Sequence, residues 1–500
     1  KGFTYALLMQ DDEEKYIPPM RGHFYDIVPF WSSQPMLEKT YITKIPSDKP
    51  AYEFYHGECQ SSVRFDGDMT VYSFTKRNIM PIEREPNMVA TSDIAPKLLL
   101  STSPDWEAKS LWFMGVNEDY GSFDPTPEVQ EFVNELLKGA KTEGDSISLL
   151  THWVADNMRY SGISMGPGEG FTLHNAQMNF TDRCGVCKDK ASLLIAFLRA
   201  AGFESYPAMT MAGSRIEDIP ADQFNHSVTV VKLADGEYHL LDPTWVPFVR
   251  ELWSSAEQQQ NYLMGVPGGA DLMITPISPP INHYLRINGT STLLTDGTLE
   301  GEFTVAAEGQ TDASIRGIFT RAFKSEWNKN VEKELLRINP KAEIIEMDYG
   351  KNPIDHMAAP ILIKIKYRIP DYAFVGMNEM AFVPLLSKKI FSRGMSHLYL
   401  NTGLEERKYS FRDRCSRLVE INETITIPEG YTYLNEVDAG ESKGKAASYQ
   451  GSVSQLGNSI AMKQKIVLEK RIYEPEDWPD VRAAVKAQNE MAETPVVLVK

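Results

Sequence analysis

The sequence predicts an α+β protein in three parts, with helices in the middle and β domains at both ends. Residues 1–90 and 281–500 contain segments in which apolar and polar residues alternate, which is typical of half-buried strands. Residues 91–280 contain apolar residues at helical spacing, and Pro279-Pro280 marks the end of this part. We therefore predict three domains with these boundaries.

The N-terminal part is predicted to be a small sheet. Residues 41–45 and 70–74 are rich in β-branched and aromatic side chains, which favours strands. Asp66-Gly67-Asp68 lies between two such segments, and an Asp-Gly pair is typical of the turn in a hairpin. The frequent aromatic residues of this part are expected to pack in its core.

Three helices are predicted between residues 91 and 160. Asp105 can cap the first, because its carboxylate can accept a hydrogen bond from a free N–H at the helix start. Pro127 occupies a first-turn position of the second helix, where its missing N–H costs nothing. The third helix begins near Asp145 and has apolar residues along one face.

A long loop is predicted at residues 161–183. It is rich in glycine and contains Phe171, His174 and Gln177. A loop of this length before a functional residue is either a lid, a substrate-binding wall or a simple connector. Its glycines are too irregularly spaced for a phosphate-binding loop.

Cys187 is predicted to lie at the first residue of a buried helix. The residues of the buried face are Ala191, Leu194, Ile195, Leu198 and Gly202. The free N–H groups and the positive end of the dipole at a helix start favour a thiolate over a thiol. Because the thiolate is the nucleophilic form, Cys187 is a candidate catalytic residue.

A base and an orienting group are predicted downstream. Residues 224–232 and 238–242 are expected to form two strands joined by a turn at Asp235-Gly236. His226 and Asp242 are equally distant from residue 234, so we expect them to be near cross-strand neighbours. A carboxylate beside an imidazole fixes its tautomer and stabilises the imidazolium, which completes a candidate triad in the order Cys, His, Asp.

The C-terminal part is predicted to be a β domain interrupted by one helix. Residues 293–305 form a predicted hairpin around Asp296-Gly297. Apolar residues alternate over residues 361–369 and 419–427, which predicts half-buried strands. The single helix is predicted over residues 312–336.

Cys184 and Cys187 also fit two other kinds of site. A redox C-x-x-C motif requires a thioredoxin-like βαβ context, but residues 178–182 make a poor buried strand. A structural zinc site requires a second pair of ligands, but Cys59 and Cys415 are isolated and are expected to be structural. The nucleophile interpretation of Cys187 is therefore favoured over both.

Several polar residues near the candidate triad are assigned no catalytic role. His174 and His239 lack the combination of strand, turn and following aspartate that singles out His226. Lys188-Asp189-Lys190 is predicted to be a salt-bridged first turn, in which the helix dipole favours Asp189.

Composition restricts the function further. The chain has 500 residues and a net charge of −17, and nucleic acid is then not expected as a partner because it requires a basic face. No stretch of the sequence has the apolar length of a membrane span. Four cysteines are too few for a disulfide framework. The chain begins at Lys1 without Met, so we interpret it as a mature or trimmed form.

Three segments together resemble the transglutaminase-like cysteine hydrolase superfamily. They are Gly185-Val186-Cys187-Lys188-Asp189-Lys190-Ala191, Asn225-His226-Ser227 and Leu241-Asp242-Pro243-Thr244-Trp245. The chain looks most similar to bacterial envelope proteins in which such a core is flanked by β domains of unknown function. The resemblance implies a papain-like core at residues 91–280 and an N-terminal β domain that is incomplete in this chain. It also implies a tryptophan in the oxyanion hole, for which Trp153 and Tyr160 are the candidates here.

The resemblance implies a cysteine protease or amidase that acts on a peptide or isopeptide amide. Cys187 would be the nucleophile, His226 the base and Asp242 the orienting group, with no metal or organic cofactor. It also implies a secreted, periplasmic or cell-surface location. Two alternatives stay open, namely a protein-glutamine amine transferase and a cell-surface binding or scaffold protein whose triad is inactive. The oligomeric state and the substrate are not predicted.

Overall fold

The structure is a computed structural model that describes residues 20, 22–161, 174–434 and 440–500. β-rich regions flank a mixed helical and β core, which confirms the predicted α+β class. Among the described residues, no helix is both long enough and apolar enough to cross a membrane.

The N-terminal region contains two small antiparallel sheets. Its strands are β1 (Tyr25–Pro29), β2 (Met36–Pro46), β3 (Tyr52–His56), β4 (Gln60–Asp66), β5 (Met69–Ile79) and β6 (Lys97–Ser101). The predicted hairpin is confirmed, since β4 pairs with β5 across a turn in which Gly67 has a φ of 65°. The strand β6 lies beyond residue 90 and pairs with both β1 and β3. The boundary at residue 90 stays a prediction, and we propose to place it after Ser101.

The central region has a five-stranded antiparallel sheet with the order β11-β10-β9-β12-β13. Its helices are α1 (Thr91–Ile94), α2 (Trp106–Glu118), α3 (Pro127–Leu136), α4 (Glu143–Asn157), α5 (Ala176–Asp182) and α6 (Cys187–Ala200). Its strands are β7 (Arg159–Tyr160), β8 (Cys184–Gly185), β9 (Ser205–Thr210), β10 (His226–Lys232), β11 (Tyr238–Leu241), β12 (Asn261–Met264) and β13 (Met273–Ile274). Apolar side chains of α3, α4 and α6 form a shared core that also contains Val231 and Leu241 of the sheet.

The three predicted helices of this region are confirmed. The carboxylate of Asp105 accepts a hydrogen bond from the Ala108 N–H at 2.7 Å and caps α2. Thr126 caps α3, and Pro127 is its first residue, as expected. The start of α4 is a capping box in which Thr142 and Asp145 bond each other's backbone.

The C-terminal region contains an eight-stranded sheet with the order β16-β17-β15-β14-β21-β25-β24-β23 and a four-stranded sheet with the order β18-β19-β27-β22. Its strands are β14 (Tyr284–Leu293), β15 (Leu299–Ala307), β16 (Glu343–Asp348), β17 (Leu362–Ile369), β18 (Phe374–Val375), β19 (Glu379–Phe382), β20 (Phe411–Arg412), β21 (Arg417–Thr426), β22 (Thr432–Tyr433), β23 (Glu441–Lys443), β24 (Ala447–Leu456), β25 (Ser459–Leu468), β26 (Ile472–Tyr473) and β27 (Val496–Val499). Its helices are α7 (Gly309–Thr320), α8 (Trp327–Leu336) and α9 (Trp478–Met491).

The predicted hairpin around Gly297 and the alternating strands are confirmed, but the prediction of a single helix is wrong. The helix expected over residues 312–336 is interrupted because Phe323 adopts an extended conformation and its N–H is capped by Glu326 at 3.2 Å. The second helix α8 thereby turns Trp327 back onto α7, where its indole N–H donates to the Phe319 carbonyl at 3.2 Å. The helix α9 was not predicted.

Candidate active site

Cys187 is the first residue of α6, as the sequence predicts, and its side chain is half-buried. The helix begins here because Asp189 caps it, with its Oδ2 accepting the Val186 N–H at 2.7 Å. Its Oδ1 lies 2.5 Å from Nδ1 of His174, so this buried carboxylate is held from two sides. The start of α6 is therefore fixed independently of Cys187.

The predicted salt-bridged first turn is only partly right, because Asp189 is paired with His174 whereas Lys190 donates to carbonyl groups. Asp189 and Lys190 are both buried. The Lys190 ammonium donates to the Ala155 carbonyl at 2.9 Å and to the Pro243 carbonyl at 3.3 Å, so it joins three segments behind the site. Burial lowers the pKa of Lys190 to about 8, while the negative charges of Asp242 and Asp156 act in the opposite direction.

Gly185 allows the chain to pass close to the capping carboxylate. A Cβ atom at this position would lie 2.5 Å from the Cβ of Asp189, closer than two carbon atoms can approach without displacement. The backbone of Gly185 is fixed as well, because it pairs with the backbone of Tyr160 in a short parallel ladder. The glycine therefore has a steric reason to precede the nucleophile.

Replacing Gly185 with alanine is expected to lower the free energy of unfolding by about 1–3 kcal/mol, because the added methyl group displaces the Asp189 cap. The measurement is urea denaturation of the purified protein. Gly115→Ala is the matched control, since nothing lies within 4 Å of a Cβ there and the residue is inside α2. That change is expected to stabilise by about 0.4–1 kcal/mol or to have no effect. Equal stabilities of the two variants would contradict the steric argument.

His226 and Asp242 are brought together by the predicted hairpin. His226 is the first residue of β10, and Asp242 directly follows β11, which pairs with β10. Nε2 of His226 lies 2.9 Å from Oδ2 of Asp242. The Thr244 N–H donates to Oδ1 of Asp242 at 2.8 Å, so both carboxylate oxygens are bonded. Because Nε2 is engaged, Nδ1 is the ring nitrogen left for the thiol.

The thiol of Cys187 interacts with the imidazole of His226. Burial raises the pKa of this thiol, but the hydrogen bond and charge of His226 and the N–H groups of Ser227 and Lys188 outweigh it, so the pKa falls below its usual value. For His226, burial lowers the pKa, but Asp242 and Cys187 more than compensate and raise it to about 11. Both shifts favour a thiolate beside an imidazolium.

A fourth residue, Glu257, was not predicted from the sequence. It is buried, and one of its carboxylate oxygens lies within 4.8 Å of ligand atoms of both His226 and Asp242. Burial raises the pKa of Glu257 to about 8, and the negative charge of Asp242 adds to this effect. Nothing in the sequence around Glu257 indicates its role, because it ends a single 3₁₀ turn, Ser255–Glu257, that no motif marks.

The two candidates for the oxyanion hole lie in different places. The Tyr160 hydroxyl interacts with both the backbone N–H and the thiol of Cys187. Trp153 instead packs in an aromatic cluster, where the Arg183 guanidinium lies 4.2 Å from its ring centre. Trp245 lies next to the site, with its ring centre 6.3 Å from that of His226. Of the two candidates, only Tyr160 is therefore adjacent to the thiol.

Two parts of the chain match known domain families. Residues 130–247 match the model of the transglutaminase-like superfamily, and this range includes Cys187, His226 and Asp242. Residues 379–498 match a domain of unknown function with a solved structure, DUF3858. The central part of this chain belongs to the transglutaminase-like superfamily.

The fold is also similar to that of a solved structure. A crystal structure described as a "putative protease" from Parabacteroides distasonis ATCC 8503 has a TM-score of 0.62 and 14% identity, and the likeness covers 96% of this chain and 75% of that chain. At this identity the likeness concerns the fold alone. A "putative cysteine protease" from Cytophaga hutchinsonii has a TM-score of 0.22 and 12% identity over 45% of this chain and 79% of that chain, which adds nothing to this conclusion. No curated protein matches the chain significantly.

The other three cysteines and His239 are not part of the candidate triad. Cys184 is exposed, and Cys59 and Cys415 are half-buried and buried. His239 is an exposed residue paired with Asp235 at 2.8 Å. The four cysteines are all among the described residues, and none of them is in a disulfide bond.

The loop predicted before the nucleophile lies only partly within the described residues. Residues 162–173, which include Phe171, lie outside the described residues. His174 is described and buried against Asp189, and Gln177 lies in α5 rather than in a loop. The helix α5 packs against α6, so this end of the segment is part of the core. Whether the rest is a substrate wall stays a prediction.

The only group of side chains compact enough for a metal ion, among the residues that the structure describes, is His226, Asp242 and Glu257. Two of the three are already bonded to each other through the imidazole Nε2 and the aspartate Oδ2. A cation there would have to replace that hydrogen bond, and it would then disconnect the imidazole from its carboxylate. The arrangement is suited to acid–base chemistry rather than to ligation.

Proposed function

We propose that this protein is a cysteine hydrolase that cleaves a peptide or isopeptide amide. The observation that carries the proposal is the continuous chain from the Cys187 thiol through His226 to the buried carboxylate of Asp242. The position of Cys187 at the start of α6 favours the thiolate, because the helix N-terminus is positive. Membership of the transglutaminase-like superfamily supports the same chemistry.

The first half of the reaction forms an acyl-enzyme. The thiolate sulfur of Cys187 attacks the carbonyl carbon of the amide, and the π electrons move onto the oxygen. When the tetrahedral intermediate collapses, the C–N bond breaks and the imidazolium of His226 gives its proton to the leaving amine. Asp242 keeps the ring oriented and stabilises its charged form throughout.

The second half consumes water. His226 is now neutral and accepts a proton from a water molecule as the water oxygen attacks the thioester carbon. The C–S bond breaks, the carboxylic acid leaves, and the thiolate–imidazolium pair is restored. No metal or organic cofactor takes part in either step of this proposal.

The negative oxygen that forms in both steps requires hydrogen-bond donors. We assign the backbone N–H of Cys187 as one donor, because an N–H at the start of α6 has no acceptor within the helix. The Tyr160 hydroxyl interacts with the same N–H and with the thiol, so it lies where a second donor is needed. Loss of one such donor typically raises the barrier by about 2.7–4 kcal/mol.

Hydrolysis is favoured over amine transfer by the exposure of the described aromatic side chains beside the site. The side chains of Tyr160 and Trp245, which flank the thiol and the imidazole, are 56% and 53% exposed. Amine transfer requires that water be kept from the acyl-enzyme, and these aromatic residues do not enclose it. A scaffold with an inactive triad is disfavoured because the thiol is only half-buried and remains reachable.

The location is proposed together with the activity. The resemblance to bacterial envelope proteins with flanking β domains supports a secreted, periplasmic or cell-surface site of action. The proposed substrate is then a peptide or protein in that compartment. Fractionation of the source cells with an antibody against the protein checks the location.

The proposed activity is tested by labelling with peptide-like thiol electrophiles, followed by profiling against a peptide library with and without added amine. We expect covalent labelling of Cys187 and release of carboxylic acid products. Incorporation of the amine in preference to water would instead support an amine transferase. A protein that neither reacts with the electrophiles nor cleaves any peptide would support the scaffold.

The ion pair itself predicts a pH dependence. Because His226 lowers the pKa of Cys187, the thiolate forms at lower pH than in a free cysteine, whose pKa is about 8.5. The rate of alkylation by iodoacetamide is therefore expected to stay high well below pH 8 and to fall only as the pH drops through the lowered pKa. A single inflection near the free value would argue against the pair.

A further inference from the structure

Glu257 lies behind the proposed catalytic pair without an ordinary partner of its own. Its side chain is 4% exposed, and neither carboxylate oxygen has a conventional hydrogen-bond partner. Among the ion pairs of the described residues, none includes Glu257, although Arg471 and His226 are charged neighbours. A carboxylate oxygen of Asp242 lies within 4.8 Å of a carboxylate oxygen of Glu257, and the two side chains interact.

Two carboxylates this close cannot both carry a charge at low cost, since burial disfavours each charge and the two repel. Both oxygens of Asp242 already accept hydrogen bonds, from His226 and from the Thr244 N–H, so Glu257 is the member placed to donate. An ionised carboxylate cannot donate a hydrogen bond, whereas a protonated one has an O–H to offer. A proton on Glu257 therefore removes the repulsion and provides an O–H that can donate to Asp242.

The turn that carries Glu257, residues 255–260, is clamped to the C-terminal region. The amide oxygen of Gln259 accepts the N–H groups of Arg471 and Ile472, both at 2.9 Å. Its amide nitrogen donates to the Ile472 carbonyl at 3.0 Å. The Thr275 hydroxyl donates to the Glu257 carbonyl at 2.7 Å, so the backbone of this residue is fixed too. These hydrogen bonds hold the backbone of the turn in place, with the Glu257 side chain close to Asp242.

We propose that Glu257 is a positioning residue whose neutral carboxylic acid donates a hydrogen bond to Asp242 and so holds the Asp242–His226 pair toward Cys187. The consequence of this positioning for catalysis rests on the proposed function. The positioning itself affects the thiol and the imidazole, and it can be measured without a substrate. The groups that act on the Cys187 thiol are His226, Ser227 and Lys188, so we place the effect of Glu257 at Asp242.

The groups that face Glu257 decide what its ionisation would do. They are Asp242 and His226 on the sheet side and Arg471 on the C-terminal side. Burial and Asp242 raise the pKa of Glu257 to about 8, against the lowering effects of His226 and Arg471. As the pH rises through this value, Glu257 loses the proton that it shares with Asp242, and the two anions repel. The support is therefore present at neutral pH and lost above it.

The test compares Glu257→Gln with Glu257→Leu. Glutamine keeps a neutral donor of the same length, whereas leucine keeps only the volume. We expect Glu257→Gln to retain the alkylation rate of Cys187 at pH 7 within about threefold, and Glu257→Leu to lose about tenfold or more. The wild-type alkylation profile is expected to show a second inflection near pH 8 that Glu257→Gln lacks.

Glu423→Gln is the matched control, because Glu423 is also a buried glutamate with its pKa raised by burial to about 7, and it lies in the C-terminal sheet. It is expected to keep the wild-type profile, including the second inflection. If Glu257→Gln is as slow as Glu257→Leu, a negative charge is required and the proposal is overturned. A second inflection that persists in Glu257→Gln overturns it as well, and this holds even if Glu257→Leu does not fold.

Alkylation requires no substrate, so these results stand apart from the proposed function. If the wild-type protein cleaves no amide while the alkylation profiles follow the expected pattern, the hydrolase proposal fails and the positioning role survives. If the protein cleaves amides and the profiles of Glu257→Gln and Glu257→Leu coincide, the positioning role fails and the hydrolase proposal survives.

Discussion

Replacing Cys187 with alanine is expected to abolish both amide cleavage and the fast alkylation of the protein by iodoacetamide. The acyl-enzyme cannot form without the sulfur, and no other group at the start of α6 can replace it. A loss of about 10⁴-fold or more is typical when the nucleophile of a triad is removed. The measurements are turnover of a peptide found by profiling and mass spectrometry of the labelled peptide.

Cys184→Ser is the matched control for this change. Cys184 lies three residues earlier and is exposed, and its backbone pairs with that of Arg159. We expect this variant to keep both turnover and fast alkylation. Fast labelling of Cys184 with an inert Cys187 would refute the assignment, and equal loss in both variants would indicate a redox dithiol instead.

Asp242→Asn is expected to leave the protein folded and to reduce turnover by about 10²–10⁴-fold. The amide has nearly the same shape, but it no longer provides the negative charge that raises the pKa of His226. As the imidazolium becomes less stable, the thiolate loses its partner, so the inflection in the alkylation profile should move up toward pH 8.5. Circular dichroism and the two rate measurements together check this expectation.

Asp235→Asn is a control that the same hairpin provides. Asp235 also accepts a hydrogen bond from a histidine, His239, at 2.8 Å, but this pair is exposed and distant from the thiol. We expect turnover and alkylation to remain at wild-type values in this variant. Unchanged turnover in Asp242→Asn, or an equal loss in both variants, would remove Asp242 from the mechanism.

The candidate triad could be predicted because each of its residues lies at a point that local patterns determine. The periodic apolar face of α6 places Cys187 at the helix start, and the turn near Gly236 places His226 and Asp242 on facing strands. The predicted hairpin was centred on residue 234, whereas the observed strand pairing is centred one residue later. His226 and Asp242 are hydrogen-bonded in spite of this difference. Their catalytic roles stay predictions.

Other features depend on contacts between distant segments and were missed for that reason. Glu257 is defined by its neighbours from β10, the end of β11 and the C-terminal region, none of which is close in sequence. The burial of Asp189 and Lys190 likewise depends on His174 and Pro243. The helix α9 is different, because Trp478, Val481 and Val485 are spaced as a buried helical face and could have been recognised.

The hydrogen bonds of Gln259 with Arg471 and Ile472 join positions 212 and 213 residues apart. A ribosome adds about 5–20 residues each second, so roughly 10–40 s separate the synthesis of Gln259 from that of the strand that holds it. Throughout this interval the nascent chain already contains the thiol, the imidazole and Asp242, but the clamp on the turn behind them does not yet exist. On the proposed function, a nascent chain in which Ile472 has not yet been synthesised would therefore be a poor hydrolase, and its activity would mature only after the clamp has formed.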